Sequence, residues 1–432
     1  MKIGIIGAGQ GGLQAGKVLA LSGIDVTIFE KSARDELGHD QLDVTEHGFF
    51  DEIGVPVPEK AKPAAQATFV GPDTESCFTL NVPDGDRDWS IERRIFSREQ
   101  VERCEKAGVK FCFNTTVNEL ITDRDRVIGF IVEGEKFLCD LVIDSSGVSS
   151  PLRRSFKGKY GLTEMPKENE IFNIVHTYYE PKEGIALPEK YKYYLKFGLS
   201  NGICWCGIEV DGSVSTLIGN IGSLPNEEYE RLFALLKENN PIISDKALRG
   251  GHSTQIPVRY PAPIMVSEGY ATVGDSAFMT IPLLGNGIVS SVRAGQILAE
   301  KILENGNADI ATLWQYEVEF FKKYGAFFCF IDCIKRGLLK ADNDEIKYFF
   351  ESEIIRDEDL AAVFSGKLPK ISPKEFARKV KNLFTIKHSL GIIFKEALKG
   401  SSAMLVALEI PAKYDPKTIY PWKQRLENIF NS

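Results

Sequence analysis

No stretch of this chain reaches the ~18 consecutive apolar residues needed to cross a bilayer. The nearest, Leu390 to Leu408, is interrupted by Lys395, Glu396 and Lys399. Such a segment is still compatible with peripheral contact at a membrane surface. A basic excess is also missing. Lys and Arg number 52 against 60 Asp and Glu, a formal net charge of -8. That excludes the broad basic footprint of a nucleic-acid partner, but leaves room for local basic patches facing an anionic substrate. With a first strand read at Lys2 we expect no targeting segment, and the 8 cysteines do not read as a disulfide framework. We therefore expect a reducing, cytoplasmic compartment. Repeats and low-complexity tracts are absent. No metal site is assigned: Cys329 and Cys333 share a helix face, but two thiols at that spacing are not an iron–sulfur set.

What is present is an ordinary globular composition, 43% hydrophobic and 26% charged over 432 residues. A chain this long divides into two or three packed domains. Lys2 to Ile6 reads as a buried strand, Gly7 to Gly12 as a turn, Leu13 to Leu21 as a helix and Ile24 to Phe29 as a second strand. Lys31 to Pro56 reads as irregular, with a helical segment near Glu46 to Ile53. Ala64 to Val82 alternates like antiparallel strands. A helix is expected over Ser97 to Ala107 and a strand over Lys110 to Phe113. Arg126 to Ile131 and Lys136 to Ile143 read as a hairpin leading into the turn Asp144 to Gly147. Tyr193 to Phe197, Gly202 to Val210 and Ser213 to Ile218 read as a second, antiparallel sheet. Gly269 to Val273 returns to a parallel-type strand, Gly287 to Leu303 is a helix, and the rest is mainly helical. The expected class is α/β: a Rossmann-type domain with an inserted antiparallel-sheet domain and a helical C-terminal region. We place the nucleotide-binding domain at 1–54, 95–160 and 252–308, the antiparallel domain at 55–94 and 161–251, and the helical region at 309–432.

Three motifs carry chemistry. Gly7-Ala8-Gly9-Gln10-Gly11-Gly12 fits G-x-G-x-x-G between a strand and a helix, and Glu30 ends the next strand. Gly7 permits the tight turn, Gly9 lets the backbone approach a pyrophosphate, and Gly12 lets the helix pack on the strand. The helix N-terminus stabilises phosphate charge and Glu30 can bond ribose hydroxyls. Lys31 beside it belongs to the same cofactor set. This motif does not distinguish NAD from FAD. The second, Gly269 to Ile288 (GYATVGDSAFMTIPLLGNGI), makes the distinction. It resembles the second flavin fingerprint of the p-hydroxybenzoate-hydroxylase-like superfamily. That resemblance implies FAD, with Asp275 on ribityl or ribose hydroxyls and Pro282, Gly285, Asn286, Gly287 and Ile288 lining the isoalloxazine. A helix N-terminus there would stabilise the negative charge of reduced flavin. The third, Asp140 to Arg154 (DLVIDSSGVSSPLRR), looks like the superfamily turn followed by S-x-x-R, and adds Gly147 to the cofactor set. Ser146 stands where the hydroxylase form has an acid. Arg93 or Arg94 matches the superfamily arginine near the pyrophosphate, and the spacing to Gly108 favours Arg93.

The chain as a whole is similar to the geranylgeranyl reductase family, including archaeal enzymes that saturate digeranylgeranylglycerophospholipids. The resemblance runs through the first βαβ unit, Phe50 to Pro58 (FDEIGVPVP), the Asp144 turn, the Gly274 motif and the tail from Tyr414 to Trp422. Two departures stand out. Gln41-Leu42 occupy the place of the family's Cys-Gly pair, before a matching Asp43. Of the family's Y-x-W-x-F-P strand, Ile203 to Ile208 keeps Trp205 alone, which is expected against the substrate.

The resemblance implies an FAD-dependent oxidoreductase that reduces carbon–carbon double bonds of isoprenoid chains, with a hydrophobic small-molecule or lipid substrate. The rival is a flavin-dependent monooxygenase or halogenase-like enzyme. Ser146 counts against the rival. No second G-x-G-x-x-G follows a strand, so the electron donor would be transiently bound NAD(P)H or ferredoxin. His39, Asp40 and Asp43 lie in the loop expected to cross the flavin and are the candidate proton donors. Cys204 and Cys206 share a strand face, and apolar packing is their plainer reading. The aromatic run Trp314 to Phe330 is either a buried core helix or an apolar tunnel for a long chain.

Overall fold

The computed structural model of the chain describes residues 1–155, 162, 165–188, 190–351 and 390–431. Its first sheet has six strands in the order Val266–Ser267, Tyr270–Thr272, Leu141–Asp144, Lys2–Ile6, Asp25–Phe29 and Lys110–Cys112. The inner pairings are parallel, with Ile3 opposite Leu141 and Val26. Leu141, Val142 and Ile143 are fully buried because helices cover one face and the rings of Phe130 and Phe137, from a separate three-stranded sheet, pack on the other, so the strands read as continuous apolar runs. The helix Gln10–Leu21 lies against Ile288–Asn305. An added Cβ at Gly295 would lie 2.1 Å from the Gly11 carbonyl oxygen, so the two backbones meet with no room for a side chain.

The seven-stranded second sheet has the order Ile243–Pro257, Ile171–Pro181, Val214–Ile221, Ile203–Ile208, Tyr191–Leu195, Ala67–Val70 and Cys77–Leu80. It is antiparallel except where Tyr191–Leu195 runs parallel to Ala67–Val70. The helix Asn226–Asn239 covers its outer face, packing Leu232 and Leu236 against Cys204, Cys206 and Ile218.

Three local expectations shift. The segment read as one strand over Lys136 to Ile143 divides. Glu135–Leu138 completes a three-stranded sheet with Arg126–Val132 and Val117–Asp123, while Leu141–Asp144 enters the parallel sheet. The break falls at Asp140, whose carboxylate and N–H bond the backbone of Lys2. The helix expected from Ser97 begins at Arg93, whose N–H donates to the Gln41 carbonyl. The loop after Lys31 contains a short strand, Leu42–Thr45, paired with Trp89–Glu92.

The described C-terminal residues are helical: Ile310–Phe320, a π turn at Phe321–Gly325, Ala326–Lys340, Asn343–Glu351, Leu390–Leu408 and Pro416–Asn431. Among the described residues no helix is long and apolar enough to cross a membrane. The aromatic run proves to be core. Trp314, Tyr316, Phe320 and Phe321 are fully buried, and the Trp314 indole donates to the Pro411 carbonyl. A buried charge network ties this region to the second sheet. Glu170 bonds Arg259 and Arg336, and Asp332 bonds Arg336 and Lys335.

Candidate active site

A cavity of about 1020 Å³ lies between the two sheets and reaches the helix Ala326–Lys340. One side is backbone. Gly9 and Gly11 line it, on the turn that opens the first helix. Gly7 has φ +88°, and an added Cβ would fall 2.6 Å from the Ser145 carbonyl oxygen. At Gly9 it would fall 2.5 Å from Ser145 Oγ, and Gly12 donates its N–H to that same oxygen. The glycine turn is therefore pressed onto the turn after Asp144. Asp144 is itself fixed: it accepts from Ser146, Ser150 and Tyr270. Two helices begin at this side of the cavity, at Gly9 and Gly287. Neither has a side-chain cap or an acid in its first turn. Their free N–H groups and dipoles favour an anion.

Asp275 lines the same side. Its Oδ1 accepts from Thr280 at 2.8 Å, and no partner for Oδ2 exists among the described residues. Burial raises its pKa, against the hydrogen bond from Thr280 and the charge of Arg93. Such a carboxylate is suited to accepting hydroxyl hydrogens. Pro282, Gly285, Asn286, Gly287 and Ile288 follow as a loop lining the cavity. Gly285 has φ +69°, and Asn286 donates from its amide to the Val44 carbonyl.

Not every candidate residue reaches the cavity. Gly9, Arg93, Gly147, Asp275, the Pro282–Ile288 loop, His39, Asp43 and Trp205 do; Gly7, Gly12, Glu30, Lys31 and Asp40 do not line it. Gly7 and Gly12 shape the turn from behind. Glu30 is buried and its carboxylate accepts the N–H groups of Ala8 and Ser32. Lys31 is exposed. Asp40 bonds Arg249 at 3.0 Å. Asp43 is held by Arg93 at 2.6 Å and by Gln41 at 3.1 Å. His39 is exposed toward the cavity mouth. Desolvation there, then Arg93, holds its pKa below the usual imidazole value.

The opposite side is made of side chains. The inner face of the second sheet carries a row set by register: His176 opposite Leu217, Leu217 opposite Trp205, Trp205 opposite Tyr193, Tyr193 opposite Phe69, and Phe69 opposite Phe78. Ring centroids along it are 5.4 Å apart for His176–Trp205, Trp205–Tyr193 and Tyr193–Phe69. Two neighbouring glycines carry no side chain, so rings lie over them. A Cβ at Gly207 would meet the Tyr191 ring at 2.3 Å, and one at Gly219 the Phe172 ring at 2.3 Å. Cys204 and Cys206 point to the other face, where burial pushes both thiols up to about 12. They pack and do not face the cavity.

Sequence reading missed the polar groups within this wall. His176 Nε2 lies 2.9 Å from Ser215 Oγ, which also receives the Trp205 indole N–H at 3.4 Å. Glu209 accepts from Tyr191 and hydrogen-bonds Ser215. Desolvation lowers the His176 pKa to about 4, leaving the ring neutral at pH 7. Burial raises that of Glu209. The available signal was alternation: Phe172, Ile174 and His176 share a face, and a histidine there breaks an apolar pattern.

The glycine turn, the two uncapped helix starts and the partnerless Asp275 oxygen define a dinucleotide-binding α/β protein whose residues fit a flavin. The chain belongs to the FAD binding domain family, whose profile matches residues 1–218, and its cofactor is FAD. The digeranylgeranylglycerophospholipid reductase of Sulfolobus acidocaldarius is 22% identical, covering 98% of this chain and 96% of the relative. The protein of that name from Methanocaldococcus jannaschii is 25% identical, covering 91% and 97%. Among solved structures, a geranylgeranyl bacteriochlorophyll reductase-like protein from Thermoplasma acidophilum shares the fold. Its TM-score is 0.74 at 17% identity, covering 92% of this chain and 98% of that one.

Proposed function

We propose that this chain reduces carbon–carbon double bonds of geranylgeranyl-type isoprenoid chains, using FAD. The observation that carries the reading is a cavity of about 1020 Å³ with a backbone cradle that fits the flavin on one side and an aromatic and aliphatic wall on the other. The names of the full-length relatives support the same substrate class.

In this reading the glycine turn and the first helix start bind the pyrophosphate, with Glu30 and Lys31 toward the adenosine ribose. Asp275 accepts from ribityl hydroxyls, and Pro282 to Ile288 face the ring system. Bound FAD supplies the hydride once it has been reduced. An isolated alkene is not polarised, so the protein's own work is to position the chain, exclude water and hold charge. The helix start at Ile288 stabilises negative charge on the ring. Asp43, fixed by Arg93, orders the loop beside it. Trp205 and Tyr193 hold the alkene against the cofactor face. The electron donor is a transiently bound NAD(P)H or a ferredoxin. Peripheral membrane contact belongs to the same reading, through the exposed Phe394, Leu398 and Leu405 of the helix Leu390–Leu408.

The test is anaerobic. The flavin is reduced, a geranylgeranyl diphosphate or digeranylgeranylglycerophospholipid is added, and the oxidised-flavin absorbance is followed. Its return without oxygen is the expected result. A flavin that stays reduced until air enters, then reoxidises at once, points instead to oxygen-dependent chemistry.

A further inference from the structure

Hydride transfer to one alkene carbon leaves the other in need of a proton. Of the acids in the flavin loop, Asp40 is bonded to Arg249 away from the cavity, and Asp43 is ion-paired with Arg93. The wall holds a different set of groups. Glu209 lies between the strand Ile203–Ile208 and an exposed turn, where Val210 is 64% exposed. Its carboxyl bonds Ser215, Ser215 Oγ lies 2.9 Å from His176 Nε2, and all three residues line the cavity. His176 Nδ1 has no partner among the described residues, and its strand is tied to the flavin loop. Tyr178, two residues on, accepts the Leu42 N–H at 2.6 Å, and Val44 accepts from Asn286.

We propose that Glu209, Ser215 and His176 form a proton path from the Glu209–Ser213 turn into the cavity, with His176 as the group that protonates the substrate carbon. This rests on the alkene-reduction reading. As the hydride from reduced flavin forms one C–H bond, the π pair forms the second with the His176 Nδ1 proton. Nε2 takes the Ser215 hydroxyl proton, and Ser215 takes the proton of Glu209. The alkene gains two electrons, the flavin loses two, and Glu209 is left as carboxylate. Solvent at the turn reprotonates it, and water restores the ring tautomer when product leaves. The indole of Trp205 and the phenol of Tyr191 position Ser215 and Glu209.

The environment suits the path. Burial raises the Glu209 pKa, opposed by its hydrogen bonding with Tyr191 and Ser215; Asp211 adds to the rise and Arg249 opposes it. Burial pushes the phenols of Tyr178 and Tyr193 above the ordinary range, and the Glu209 charge adds to both rises. The acid is thus neutral over a wider pH range than a surface glutamate. Imidazole in this pocket resists accumulating a proton, which favours passing one on.

The test compares parent, Glu209→Gln and His39→Gln in single-turnover flavin reoxidation by the geranylgeranyl substrate, over pH and in D2O. The parent rate should fall as pH rises through the Glu209 pKa and show a solvent isotope effect. Glu209→Gln should be ~100-fold slower or more, flat over that range, and unchanged in flavin content. Should that variant lose flavin, Ser215→Ala reads the same path. A parent that never reoxidises without oxygen sinks the alkene reading itself. A reactive parent with Glu209→Gln at parental rate, or with the pH dependence abolished in His39→Gln instead, overturns only the path. Nitrogen NMR of the ring is independent of turnover. His176 should carry its proton on Nδ1, and protonation on Nε2 would overturn the relay.

Discussion

The two sides of the cavity are built from different materials. The side proposed for the flavin is main chain: glycines, two helix starts and one aspartate. The side proposed for the substrate is side chains on a sheet, placed by register. Backbone sites are specified by short local patterns, because a turn and a helix start need only the residues that form them. A side-chain wall is specified by strand pairing between segments far apart, from Phe69 to His176. The first tolerates no side chain at its glycines; the second can exchange its residues while the fold stays.

The largest effect should fall on the support of the side-chain wall. Asp332→Ala removes the buried carboxylate that pairs with Lys335, leaving Arg336 with Glu170 alone, and should cost ~3–5 kcal/mol, read as a lower urea midpoint. Burial pushes the Asp332 carboxyl up, but Lys335 and Arg336 outweigh it and the net pKa is lowered. A depressed folded pKa contributes stability above the ordinary aspartate value. The parent should therefore lose stability as pH falls through the ordinary value toward the lowered one, and the variant should show less of that loss.

Next in size, Asp275→Ala should weaken flavin retention by ~1.4–2.8 kcal/mol, roughly 10–100-fold, leaving the urea midpoint of the flavin-free protein nearly unchanged. Its counterpart, Trp205→Ala, should keep full flavin content and lower kcat/KM by ~10-fold or more, about 1.4 kcal/mol or more. If both variants lose flavin alike, the two sides do not act separately and the comparison fails. The smallest effect belongs behind the wall. Cys204→Ala should cost about 1 kcal/mol with turnover unchanged. In the parent, the thiols of Cys204 and Cys206, pushed up to about 12, should alkylate far more slowly than the exposed Cys77.

The parallel sheet, the glycine turn and the Gly274 loop were legible because each is local. That Arg93 lines the cavity accords with the spacing, though its ion pair with Asp43 was not legible. The division of the chain at Asp140 was hidden, since it depends on bonds to Lys2, far away in sequence. The network of Glu170, Arg259, Asp332, Lys335 and Arg336 was hidden for the same reason: its members come from three separate segments. His176, Ser215 and Glu209 became neighbours only when their strands paired. The aromatic run from Trp314 read as either a core helix or a tunnel; its rings fill the core, while the cavity takes Ile334, Leu338 and Leu339 from the following turns.

Gly207 and Gly219 give the wall one more property. Because Tyr191 and Phe172 lie flat on bare backbone, these two positions work as spacers of zero thickness. A single methyl at either would lift its ring into the cavity and narrow the passage by about an atom's width. On the proposed reading, the room left for a methyl-branched chain beside this wall is set in part by two residues that carry no side chain at all.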